Sequence, residues 1–131
     1  MKKVIFLLIA VWAVTLISCE KEPGKGGNAT LYGRVWVRDY NTTFTALLDA
    51  YWAQNEDVFI VYGDEKGVSD RVRTSYNGSF QFKYLRPGKY TIFAYSKDST
   101  LQTLAEIPII RTVVIGDNDK DVEVPQIDIL K

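Results

Sequence analysis

After residue 28 the chain alternates between hydrophobic and polar positions over short stretches, the period-two pattern of half-buried β-strands. From Leu31 to Tyr40, Leu31, Gly33, Val35 and Val37 fall on one side, and Tyr32, Arg34, Trp36, Arg38 and Tyr40 fall on the other. Asp57 to Tyr62 is β-branched and aromatic on both sides, which suits a central strand. Gly63–Gly67 reads as a turn, Arg71–Ser75 as a strand, and Asn77-Gly78 predicts a type I′ tight turn. Phe80, Phe82 and Tyr84 then line one face, Pro87-Gly88 turns the chain, and Tyr90, Ile92 and Ala94 line the next face opposite Thr91, Phe93 and Tyr95. Glu106–Ile115 and Asp121–Leu130 are the last two strands. Within the final strand the apolar set shifts from Val122 and Val124 to Ile127 and Ile129, which predicts a bulge near Pro125 on an edge. Seven strands at regular spacing predict an all-β sandwich, with the aromatic runs Phe80/Phe82/Tyr84 and Tyr90/Ile92/Ala94 in its core. A helical period is suggested only through Ala46–Gln54.

The first nineteen residues follow another pattern. Lys2 and Lys3 precede fourteen nearly unbroken apolar residues, Val4–Ile17, and then Ser18-Cys19. A spanning helix needs roughly 18–20 apolar residues to cross about 30 Å of hydrocarbon. This run is shorter, and its flanks are those of a cleaved secretory signal. Leu16-Ile17-Ser18-Cys19 resembles the lipobox of bacterial lipoproteins, which implies a diacylglyceryl group on Cys19, cleavage before it, and acylation of the new amine. Several acyl chains hold a protein stably at a bilayer without spanning it. Residues 1–18 are thus expected to be a signal peptide, 19–28 a lipidated flexible tether rich in Gly, and 29–131 the sandwich domain. Glu20, Lys21 and Glu22 resemble, with Lys21 interrupting, the acidic surface-export signal of Bacteroidota lipoproteins. The expected location is the cell envelope, lipid-anchored at the outer membrane, with its side left open.

Two further stretches carry a second resemblance. Thr74-Ser75-Tyr76-Asn77-Gly78-Ser79-Phe80-Gln81-Phe82, followed by Leu85-Arg86-Pro87-Gly88-Lys89-Tyr90-Thr91-Ile92, resembles the signature of carboxypeptidase regulatory-like domains, and Gly33-Arg34-Val35 is similar to that family's first strand. The resemblance implies a transthyretin-like (prealbumin-like) seven-stranded sandwich that acts as a non-catalytic accessory or ligand-binding module. Residues 41–55 depart from the family, which joins its first two strands by a short turn.

Composition narrows the chemistry. The chain has no histidine and a single cysteine, at the lipobox. Ser-His-Asp and Cys-His catalysis, His/Cys zinc sites and disulfides are therefore excluded for the mature chain. After cleavage, 14 basic residues face 16 acidic ones, so no electrostatic attraction to nucleic acid is expected. Two carboxylates suffice for a glycosidase, but the acids here fall mostly in turn-like segments. The expectation is a chain that is not an enzyme and needs no cofactor.

Two constellations remain. Asp117, Asp119, Asp121 and Glu123 have the alternate spacing of a calcium site, although Val122 stands where an EF-hand loop needs Gly; a solvated hairpin turn is the competing reading. Tyr32, Arg34, Trp36, Arg38 and Tyr40, joined by Phe93 and Tyr95 if their strands share a sheet, would form an aromatic face for an envelope protein or a glycan. Alternatively the 41–55 segment, with Phe44, Leu47, Leu48, Tyr51 and Trp52, folds over that face and makes Trp36 part of a second small core.

Overall fold

The computed structural model describes residues 22–131, and every regular element among them is a β-strand. The signal sequence, Lys21 and the lipobox with Cys19 lie outside the described residues. Nine strands occur in order: β1 Lys25–Tyr40, β2 Leu47–Trp52, β3 Asp57–Tyr62, β4 Asp70–Arg73, β5 Ser79–Leu85, β6 Gly88–Ser96, β7 Ile107–Ile115, β8 Asp121–Glu123 and β9 Ile127–Leu130. Two differences raise the number above seven. The 41–55 segment contributes β2, and the last predicted strand is divided into β8 and β9.

Four strands form one antiparallel sheet in the order β4-β3-β6-β7. The other sheet is organised around β1, whose early half pairs with β5 and whose late half pairs with β2. Its opposite edge carries β8 and β9, both parallel to it. Tyr32 aligns with Glu123, but Val35 aligns with Ile127, so the chain between β8 and β9 holds one extra residue. That is the bulge at Val124–Gln126, with Pro125 exposed within it on the sheet edge. Proline is tolerated there because no ladder hydrogen bond is needed from it.

The sheets close on one core. Leu31, Val35 and Val37 of β1, with Phe80, Phe82, Ile127 and Ile129, face Val58, Ile60, Tyr90, Ile92 and Ala94 of the four-stranded sheet. Alternation predicted these inward sets because each strand has one face in the core and one turned outward. Tyr84 breaks the rule. It takes a φ of 61° and is exposed, while Leu85 occupies the buried position next to Phe82. The left-handed residue advances the chain by one and reverses its parity, so Tyr84 belongs to the surface and not to the core.

The Asn77-Gly78 turn also differs from expectation. Gly78 has a φ of 78° but Asn77 does not enter the positive region. The Gly78 N–H donates to the Ser75 carbonyl at 3.0 Å, and the Asn77 Oδ1 accepts from the Ser79 N–H at 3.2 Å. A type I′ hairpin needs two positive φ values. This turn instead passes the chain from β4 in one sheet to β5 in the other, so the tight twist of a hairpin is not required.

The glycine-rich segment before residue 29 is docked rather than free. β1 begins at Lys25, and Gly27 lies so close to β5 that a Cβ there would fall inside the Leu85 carbonyl group. The buried Tyr90 hydroxyl donates to the Arg86 carbonyl at 2.6 Å and accepts from the Gly24 N–H at 2.9 Å. Pro23 packs over Gly63 and Gly88, at the adjoining ends of β3 and β6.

Candidate functional site

On β1, the residues between the core positions project from the outer face of the five-stranded sheet. Tyr32, Arg34, Trp36, Arg38 and Tyr40 form one row, as their spacing predicted. β2 lies beside this row as an added edge strand, not over it as a cover. Cross-strand pairing of Trp36 with Trp52 brings the two indoles edge to face, with centroids 4.8 Å apart. Trp36 is therefore half-buried by a neighbour in its own sheet and has no second core above it. At the far end Phe44 reaches back to Tyr40, with ring centroids at 5.8 Å. Leu47, Leu48 and Tyr51 stay exposed, so the apolar content of the 41–55 segment does not serve as a lid.

The Arg34 guanidinium sits 3.5 Å from the centroid of the Trp52 ring and donates from Nε and Nη2 to the Asn77 carbonyl, at 3.1 and 2.8 Å. Stacking plus two hydrogen bonds fix this charge in one orientation. Arg38 and Tyr32 are exposed, and Tyr32 keeps 42% of its surface in solvent. Next to Tyr32 and Arg34 the surface dips into a shallow groove of about 620 Å³, also lined by Arg73, Ser75, Ser79 and Gln81. Arg73 is paired with Asp57 at 3.1 Å. A rigid aromatic row with fixed cations, hydroxyls and an amide at its side can stack on a flat ligand and hydrogen-bond to its rim.

Phe93 and Tyr95 do not belong to this surface. β6 and β1 lie in different sheets, so their outward residues sit on opposite sides of the sandwich. There Phe59, Phe93 and Tyr95 form a separate aromatic cluster, with Phe59 and Phe93 stacked at 5.2 Å and Tyr95 edge-on to both. Across the same sheet, register aligns Arg71, Phe59, Phe93 and Ile110.

The acidic turn is not assembled for a cation. Asp119 Oδ2 accepts the Gly116 N–H at 2.8 Å and closes the turn, while Asp121 and Glu123 project from β8 into solvent beside Thr30 and Tyr32. Among the described residues no three acidic groups converge as a cation site would require.

No protein-family model matches this chain, and no curated protein matches it. Among solved structures it is similar to a Pseudomonas aeruginosa protein for which carbohydrate binding has been proposed, with 14% sequence identity and a TM-score of 0.45, over 82% of this chain and 91% of that one.

Two contributors to the outer surfaces escaped sequence reasoning. Trp52 reads from the sequence as part of a cover, because its position sixteen residues after Trp36 carries no sign of the cross-strand pairing that places it. Ile110 and Val114 lie on the side of β7 opposite Ile109, Arg111, Val113 and Ile115, where alternation alone sets them.

Proposed function

We propose that this chain is a lipid-anchored, non-catalytic binding module of the cell envelope, and that its recognition surface is the outer face of the five-stranded sheet. The observation that carries the reading is the position of β2. By extending the sheet edge, it leaves the Tyr32–Tyr40 row open and adds Trp52 to it. The lipobox-like Leu16–Cys19 supports the anchor, and the transthyretin-like, carboxypeptidase regulatory-like signature supports a binding role. The absence of histidine from the sequence removes the most common catalytic base.

A glycan is the second reading, favoured by one observation: the groove beside Tyr32 combines an aromatic wall with Arg34, Ser75, Ser79 and Gln81. Sugars stack their apolar faces on aromatic rings and satisfy their hydroxyls at such edges. The test is a glycan array probed with the mature protein in detergent, alongside Tyr32→Ala and Arg38→Ala. Both substitutions lie on exposed side chains, so the unfolding free energy should stay within about 0.5 kcal/mol of wild type. Loss of a glycan signal in both variants supports sugar recognition. A protein captured from envelope extract by wild type and lost with both variants supports the assembly reading instead. Partners retained by both variants would place recognition elsewhere.

A further inference from the structure

We infer that the outer face of the four-stranded sheet lies against the lipid surface, so that the Tyr32–Tyr40 face points away from the membrane. The inference rests on the lipid anchor proposed for Cys19. Four residue steps separate Cys19 from Pro23, and however they are arranged they span at most about 14 Å. Pro23 is fixed over Gly63 and Gly88, the ends of the two central strands of the four-stranded sheet. The anchor thus holds that sheet close to the bilayer. The other sheet stands roughly 10 Å further off, the usual spacing of packed sheets.

Exposed apolar surface decides between seating the domain on its end and seating it on this face. The end nearest the anchor mixes Asp64, Glu65, Asp117 and Asp119 with Lys66, Arg86, Lys89 and Lys120, a near-neutral polar surface with no excess of cation to draw it onto anionic headgroups. The sheet face is apolar at its centre, with Phe59, Phe93 and Tyr95 clustered and Ile110 and Val114 left 52% and 65% exposed. Arg71 and Lys89 flank it as free cations, and Asp57, the acid at its rim, is neutralised by Arg73. An apolar surface rimmed by Arg, Lys and Tyr is the composition of groups that settle into the headgroup boundary. The 39% exposed Tyr95 is placed to keep its hydroxyl in the polar layer.

The experiment uses the acylated mature protein in vesicles containing anionic lipid and lipids brominated near the top of their acyl chains. Its own tryptophans report the far side, because Trp36 and Trp52 both lie on the five-stranded sheet. Ile110→Trp and Val114→Trp each put a third indole on the proposed contact face. Wild type should show little quenching, whereas each variant should lose about a third of its emission, one indole in three entering the upper 5–10 Å of the bilayer. Mass spectrometry of the same preparation tests the anchor. A product lacking acyl chains overturns both the anchor and the inference built on it. An acylated product in which both variants match wild type, or in which wild type is the more strongly quenched, overturns the membrane-facing assignment and leaves the anchor standing.

Discussion

Gly78 shows how one residue can serve two constraints. Its φ of 78° is strained for any residue with a side chain, and a Cβ there would sit 2.7 Å from the Val35 carbonyl and 3.1 Å from the Trp52 side chain. Gly78→Val should therefore cost more than a turn preference alone, on the order of 2–4 kcal/mol in chemical denaturation. It should also disturb the Trp36–Trp52 pair, visible as altered indole emission. An unchanged midpoint would show that the turn relaxes without touching β1. Tyr90 makes a second prediction. Burial holds its hydroxyl above the ordinary tyrosine value of 10.0, partly offset by its hydrogen bond from Gly24 and by the nearby Arg86 charge. The unfolded chain then loses this proton first, so the tyrosine contribution is intact below about pH 9 and declines as pH rises past 10. Tyr90→Phe should lose about 1–3 kcal/mol at neutral pH, because Gly24 and Arg86 lose their partner. It should also flatten the alkaline decline, which denaturation series between pH 7 and 11 would reveal.

At the level of elements, β7 ends the four-stranded sheet and leaves one edge unpaired. It is nine residues long and mostly Ile and Val, a composition prone to pairing with another chain. Two features blunt it. Pro108 removes a donor, and Arg111 occupies an inward position, where its Nε and Nη2 donate to the Gln126 carbonyl at 3.1 and 2.9 Å. Arg111→Val should raise light scattering during refolding while moving the thermal midpoint only slightly, since the hydrogen bonds it makes to Gln126 are open to solvent and water can replace them. Equal scattering would mean that Pro108 alone guards this edge. Elements of this kind were readable from the sequence where local pattern and long-range pairing agree: β3 falls at Asp57–Tyr62 as expected, and the Pro125 bulge lies where the apolar set shifts. They were not readable where pairing overrides pattern. Leu47, Leu48, Tyr51 and Trp52 have the spacing of a helix face, yet β1 offered an unfilled row of hydrogen-bonding groups and the segment became β2. The glycines before Asn28 resemble a tether by composition, but their missing side chains are what lets that backbone approach Leu85.

Across the whole molecule, alternation reveals which residues share one side of a strand and is silent on which strands share a sheet. The row Tyr32–Tyr40 was therefore legible as a face, while its union with Phe93 and Tyr95 was not, and the two groups divide between opposite surfaces. The same long-range pairing has a consequence for how the chain folds. β1 opens the domain, but one entire edge of it is satisfied by β8 and β9, from roughly ninety residues later, a separation that places this sheet among slow-forming topologies. The antiparallel β4-β3-β6-β7 sheet can assemble while the end of the chain is still arriving. The sheet bearing the candidate recognition row cannot close until Leu130 is in place. Any chain emerging from its N-terminus thus holds Leu31, Val35 and Val37 in search of partners until late in its synthesis, and the four-residue strand Ile127–Leu130 acts as the latch that makes the candidate face permanent.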